Sequence, residues 1–346
     1  MKKGMLIIAL LVVAAAIAAT AFFARERDET SIAETAGQAV SAEIDTYVRT
    51  NIETRKAIEE KAEGKYSLNE ITNVLLIGVD NNNVGGLDKF GNADGIMLVS
   101  INSNTKQLTL TSFMRDTRIR QPREYEKKIT EIYHAGGAKL LIEAIEQSFG
   151  IHIDNYILVN YLNVIDIVDA LGGLDIELSA DEIQTMAGKI RNLEILTGRL
   201  IGENALRPDQ AGMLHLNGVQ TSAYLRIRPS STNYDSGRTA RARKVVTLIL
   251  EKVKKMSTGE KSAFADTFIP KIETDMSDAD ILAFSMSASF FMDFELFSAK
   301  IPLDGAYKDS NDGNAYIIPD FEVNNKYLYE SIYEGKHGGS VRGAVS

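Results

Sequence analysis

The sequence contains no cysteine. Disulfides, thiolate zinc centres, cysteine nucleophiles and lipid acylation at a lipobox cysteine are therefore excluded. Histidine is scarce: only His134, His152, His215 and His337 occur, no two of them close in sequence. A histidine-based metal cluster has little to build on, and an HExxH helix is absent. Positive charge is in deficit, with 38 Lys and Arg against 47 Asp and Glu and a formal net charge of −9. A general nucleic-acid binder shows the opposite balance. No GxxxxGK[ST] context surrounds Gly136-Gly137, so there is no Walker loop, and no internal repeat is evident. The rest is ordinary for a folded protein: 45% hydrophobic and 25% charged residues, over a length that suits one large domain with appendages or two small domains.

The N-terminus departs from this pattern. Lys2 and Lys3 precede an uncharged apolar run from Gly4 to Ala24, and about 20 such residues cross a bilayer as a helix. Lysines retained in the cytoplasm send the remaining chain outward. A cleaved signal peptide is the alternative, since Ala19-Thr20-Ala21 offers suitably small residues. The run is longer than most signal-peptide cores, which favours an uncleaved, single-pass anchor in the cell membrane. Both readings export the chain to a compartment without ready ATP. The expected divisions are a cytoplasmic tip and transmembrane anchor at 1–24, a helical stalk at 25–70, an extracytoplasmic domain at 71–335 and a flexible tail at 336–346. The stalk reading rests on a Ser31/Glu34 capping box and on Ile44, Val48 and Ile52 at helical spacing.

From Asn73 onward, strands alternate with helices. Strands are expected at 73–80, 95–102, 107–114 and 155–160, in LDIEL (174–178) and in SAYLRIR (222–228). The short connection at 102–106 is hairpin-like and makes the sheet mixed. Helices are expected at 136–148, at 161–171 ending on Gly172-Gly173, from near Arg238, and from Ser277 to about residue 290. The pattern implies an α/β fold: a mixed central β-sheet covered by helices on both faces, an αβα sandwich preceded by one transmembrane helix.

Against the acidic background, residues 224–244 hold five arginines, one lysine and a single acid, Asp235. Read as a strand, Arg226 and Arg228 share one face. Arg238 and Arg241 then fall one turn apart at the start of a helix that Asp235 or Ser236 would cap. Several guanidinium forks beside a helix N-terminus suit a di- or polyphosphate; a solvated basic face is the alternative. Asp80 ends one expected strand and Asp94 opens the next, where α/β sheets bind ligands and where Mg²⁺ takes one or two carboxylates. Turn-forming aspartates are the competing reading. Arg115 and Asp116 end a third strand, as a further phosphate donor and a possible base, or else as an ordinary surface pair.

Taken in order, NVLLIGVD, ADGIMLVSIN, SFMRDT, Gly136-Gly137, VDALGGLDIEL, LNGVQTSAYLRIR and DSGRTAR resemble the LytR–CpsA–Psr family of extracytoplasmic phosphotransferases over residues 73 to 250. The resemblance implies transfer of a glycopolymer from a polyprenyl-pyrophosphate carrier onto peptidoglycan in a Gram-positive wall, without nucleic acid as a partner. It further implies Mg²⁺ (or Mn²⁺) held by Asp80 and Asp94, and pyrophosphate gripped by Arg115, Arg226, Arg228 and Arg238, with Arg241 one turn on. Asp116 and Asp235 would orient these arginines or assist the attacking hydroxyl. The chain departs from the family pattern at Asn92, Ala93 and Gly95, at Thr130 and at Ala242, where arginine, serine, threonine, asparagine and glutamine are usual. Two other readings stand beside the enzyme: a non-catalytic polyprenyl-phosphate or polyanion binder, and a DNA-binding regulator.

Overall fold

The computed structural model describes residues 71–80, 92–122, 126–227, 234–257, 260, 264, 273–276, 294–310, 316–338 and 341–342. Its centre is a seven-stranded mixed sheet. Strands β1 (Ile71–Asp80), β2 (Asn92–Asn102) and β3 (Gln107–Phe113) form an antiparallel meander. β6 (Asn155–Asn160) lies parallel to β1, and β10 (Glu295–Ile301) parallel to β3. Between β3 and β6 the chain forms a small hairpin of β4 (Arg118–Arg120) and β5 (Glu126–Lys128). β1, β3, β6 and β10 therefore all run the same way and end on one rim.

The alternation along β1 divides the core. Val74 and Leu76 join one buried cluster, and Leu75, Ile77 and Val79 join the other. A strand buried on both faces reads as a continuous apolar run. One face is covered by α1 (Ile129–Phe149), which supplies Ile132, Leu141 and Ile145. The other is covered by α2 (Tyr161–Ala170), α3 (Ala180–Leu196) and, beyond them, α4 (Gly218–Leu225) and α5 (Tyr234–Lys255). Helices on both faces make the αβα layering expected from the sequence. LDIEL forms β7 (Leu174–Leu178), but it pairs with β8 (Gly212–Leu216) in a separate two-stranded sheet.

Several boundaries differ from the sequence reading. α1 begins at Ile129 rather than near Gly136, and Gly136-Gly137 is a kink inside it, with Gly137 at φ 71°. α2 ends as expected, with Gly172 and Gly173 at φ 70° and 86°, a conformation that favours glycine. Part of the expected flexible tail is an edge strand. After β11 (Tyr307–Asp309), β12 (Ile317–Pro319) and α6 (Phe321–Tyr333), which packs on the same face as α1, β13 (Val341–Arg342) pairs with β10. The two-residue β9 (Glu273–Thr274) closes the opposite edge beside β6.

The largest correction concerns SAYLRIR. Its first residues are not a strand but the end of α4. Asn217 caps this helix through a capping box with Gln220, and every residue from Gly218 to Tyr224 is buried. Its buried residues include the polar Gln220, Thr221 and Ser222, so polarity marks no solvent stripe here and the 3.6-residue period cannot be told from alternation. The anchor, the stalk and the Ser277 helix lie outside the described residues. Among those described, no helix is long and apolar enough to cross a membrane.

Candidate functional site

Four strands end at one rim, and four of the expected site residues lie there: Asp80, Asp94, Arg115 and Asp116. Asp94 sits at an irregularity in the β1–β2 ladder. Gly78 pairs with Gly95 and Val79 with Ala93, so Asp94 is the extra residue of a bulge. Bulges re-aim side chains and occur next to functional sites. Arg115, two residues beyond β3, forms an ion pair with Asp94. Its Nε also lies 3.8 Å from Oδ1 of Asp116, and Lys128 Nζ lies 2.9 Å from that same oxygen. The result is a chain of alternating charge, Asp94–Arg115–Asp116–Lys128, with all four side chains largely shielded from solvent.

The backbone holds this chain in place. Thr130 N–H donates to the Arg115 carbonyl (3.3 Å) and Ile129 N–H to that of Thr117 (2.9 Å), so the start of α1 grips the strand exit. Ile317 N–H donates to the Asp116 carbonyl (3.0 Å) from the other side. Lys128 was missed by the sequence reading. It belongs to β5, and nothing local to EKKIT shows that this segment pairs with the strand after Arg115.

A second group lies at the α4–α5 connection. Arg226 is the residue that ends α4: its N–H donates to Ala223 (3.1 Å), and a cation there complements the helix dipole. Arg226 is therefore not on a strand, and Arg228, expected to share its face, lies outside the described residues. α5 starts at Tyr234, so Asp235 stands within its first turn rather than at its cap, and Arg238 follows that turn. The dipole cost expected at Arg238 is correspondingly smaller, because the effect fades beyond the first turn. Arg241 reaches back toward α4, donating to the Ile227 carbonyl (2.8 Å), approaching Glu182 Oε1 at 3.8 Å and lying 6.0 Å from the Tyr224 ring. Burial, with Glu182 adding and Arg241 opposing, pushes the Tyr224 hydroxyl up to about 12. Burial also draws the Arg243 guanidinium below its usual range. Asp80, Asp235 and Arg238 are placed by their backbone alone.

The donor chemistry at the rim fits a hard cation. Asp80 ends β1 opposite Asn92, two residues from Asp94 on the neighbouring strand. Mg²⁺ takes one or two carboxylates and completes its octahedron with water and phosphate oxygens. Among the described residues there is no group of three or more His, Asp or Glu that could hold a metal by itself, so any ion at this rim would draw the rest of its shell from water and substrate.

The LytR_cpsA_psr family matches residues 31–331, and the chain belongs to it. Its curated relatives include Biofilm regulatory protein A of Streptococcus mutans, 27% identical over 67% of this chain and 58% of that protein. They also include the polyisoprenyl-teichoic acid–peptidoglycan teichoic acid transferases TagU of Enterococcus faecalis (28% identical, 66% of this chain, 70% of that protein) and TagV of Bacillus subtilis (23%, 75% and 63%). The chain thus spans 58% to 70% of these relatives' own lengths. Among solved structures, protein gbs0355 of Streptococcus agalactiae superposes with a TM-score of 0.60 at 22% identity, over 83% of this chain and 93% of that one. TagT with bound octaprenyl pyrophosphate lipid superposes with a TM-score of 0.55 at 20% identity, over 77% and 91%. At these identities the structural likeness establishes the fold.

Proposed function

We propose that the chain is a membrane-anchored, Mg²⁺-dependent phosphotransferase that moves a glycopolymer from a polyprenyl-pyrophosphate carrier to peptidoglycan. The observation that carries this reading is the family match, which encloses every expected site residue within 31–331. The names of the TagU and TagV relatives support the substrate class, and TagT with a bound polyprenyl pyrophosphate supports the carrier.

The division of labour follows from the chemistry of the side chains. Asp80 and Asp94 would hold the ion, whose charge would offset that developing on the phosphoryl oxygens. Arg115, Arg226, Arg228, Arg238 and Arg241 would hold the pyrophosphate through guanidinium forks. Arg115 is poised for this, since a bound phosphate would compete with Asp94 for its donors. Asp116, held between Arg115 and Lys128, is suited to orienting the arginine and to accepting a proton from the acceptor hydroxyl. Asp235, in the first turn of α5, is suited to orienting the arginines of the second group. No covalent nucleophile is required, because positioning and charge neutralisation do most of the work in phosphoryl transfer. The carrier's pyrophosphate supplies the driving force.

The test is release of polyprenyl phosphate from a carrier-linked saccharide in the presence of a peptidoglycan acceptor. Arg115→Ala and Arg226→Ala should each lower turnover on the order of 100-fold with the fold retained, and chelation of divalent metal should abolish it. Full metal-dependent turnover in both variants would rule the assignment out. A second reading, a non-catalytic binder of the same lipid, is favoured by Asn92 standing where the family usually has arginine. It predicts tight lipid binding by the wild type with no turnover when metal is supplied. DNA regulation is opposed by the net charge of −9.

A further inference from the structure

The β4–β5 hairpin carries an unusual charge arrangement beside the rim. Arg118 pairs with Lys128 and Arg120 with Glu126 in its register, so these four residues share one face, while Ile119 is buried on the other. Like charges directly opposite each other across a ladder destabilise it, and Arg118 opposite Lys128 is such a pair. Three groups offset the repulsion in part. Glu126 Oε2 lies 2.8 Å from Arg118 Nε, and Asp116 Oδ1 lies 2.9 Å from Lys128 Nζ. The ring of Tyr316 lies 5.3 Å from the Arg118 guanidinium and 5.5 Å from the Lys128 ammonium, within the range of cation–π attraction.

Tyr316 comes from a distant segment and is fixed there through its backbone. Its N–H donates to Ser310 Oγ (3.0 Å), its carbonyl accepts from Ser310 N–H (2.8 Å), and the next residue, Ile317, donates to the Asp116 carbonyl. Arg120 is exposed and makes no ion pair among the described residues. The face thus sets three cations against two carboxylates, with one aromatic ring beside Arg118 and Lys128, and it continues outward from the Asp94–Arg115–Asp116–Lys128 chain.

We infer that this face is a subsite for a phosphate-bearing saccharide, lying next to the reacting pyrophosphate. Guanidinium and ammonium groups would donate to the phosphate oxygens, and the tyrosine would give the carbon skeleton of the phosphate-bearing unit an apolar surface. The inference rests on the transfer reaction proposed above and states where part of its substrate lies. The phosphate belongs either to the polymer being transferred or to the acceptor glycan, and the experiment separates the two.

The full-length chain in detergent is assayed with two lipid-pyrophosphate disaccharides, one bare and one carrying a glycerol phosphate, and with muramyl glycan acceptors with and without phosphate. Arg118→Gln and Tyr316→Leu should raise KM for the phosphorylated donor about ten-fold, the size of one charge-assisted hydrogen bond. Both should leave kcat and the KM of the bare donor within about two-fold, and Tyr316→Phe, which keeps the ring, should match the wild type. A KM shift confined to the phosphorylated acceptor would support the subsite and assign it to the acceptor. Calorimetric titration with oligo(glycerol phosphate) requires no turnover and should show weaker binding in Arg118→Gln and in the exposed-site variant Arg120→Gln. Equal shifts for bare and phosphorylated substrates, or unchanged calorimetric affinity in both arginine variants, would overturn the inference. Arg118-dependent binding by a wild type that turns over neither donor would instead remove the transfer reaction and keep the subsite.

Discussion

Two of the four histidines respond to pH in opposite senses, and each is explained by what surrounds its ring. His337 stacks on Phe297 with ring centroids 3.6 Å apart, and burial pushes its imidazole down to about 4. A histidine depressed in the folded state leaves stability intact above its ordinary value near 6.5 and withdraws it as pH falls toward 4. His337→Phe should therefore flatten the acid limb of a stability–pH curve between those values, measured by denaturant unfolding; an unchanged limb would contradict the assignment. His152 is also buried, which opposes charging. However, Glu146 Oε1 lies 2.9 Å from its Nδ1 and Asp154 Oδ1 lies 3.5 Å from its Nε2, and together they hold the imidazole above its ordinary value. This contribution is complete below about pH 6.5 and is lost as pH rises through the raised value. The double variant Glu146→Leu with His152→Phe should remove the decline on the alkaline side, while Asp154 keeps the Asn73 N–H (2.8 Å) as a hydrogen-bond donor. A decline that persists in the double variant would place its origin elsewhere.

Among the elements, α4 bears most on the proposed site, because it ends on Arg226. Its Asn217–Gln220 capping box is legible in the sequence, but its burial is not. Gly218 packs so closely on α2 that an added Cβ would come 2.1 Å from the Ile165 carbonyl oxygen. Backbone cannot yield as a flexible side chain can, so Gly218→Ala should destabilise the fold by about 1–3 kcal/mol, toward the upper end, read as a lowered denaturation midpoint with an unchanged slope. It should also disturb the Arg226 position, raising KM for the carrier lipid more than Asn217→Ala, which loses only a cap. A neutral Gly218→Ala would show that α2 and α4 are less tightly packed than described.

At the scale of the whole molecule, the described residues are built around a seven-stranded sheet with a core on each face, and the apolar run Gly4–Ala24 stands apart from it in sequence. If that run is an uncleaved anchor, the full chain should remain with membranes after high-salt and alkaline washing and should be released by detergent. A variant lacking residues 1–24 should be recovered in the soluble fraction. Release of the full chain by salt alone would exclude a spanning anchor.

The sequence by itself determined the layered α/β architecture, since strands buried on both faces must read as unbroken apolar runs and their boundaries carry glycine and capping signals. The family pattern likewise lay in short local segments, such as SFMRDT and DSGRTAR, whose order is a property of the chain. Only the tertiary structure decided that SAYLRIR ends a buried helix, because burial on every side erases the periodicity that separates helix from strand. It alone decided that Asp94 occupies a bulge, since register is a relation between two strands. It alone brought Lys128 to Asp116 and the Tyr316 ring to Lys128, contacts made across a hairpin and from a remote segment. The arginines gathered in residues 224–244 were plain to read from the start, but what each of them faces depends on the backbone that carries it.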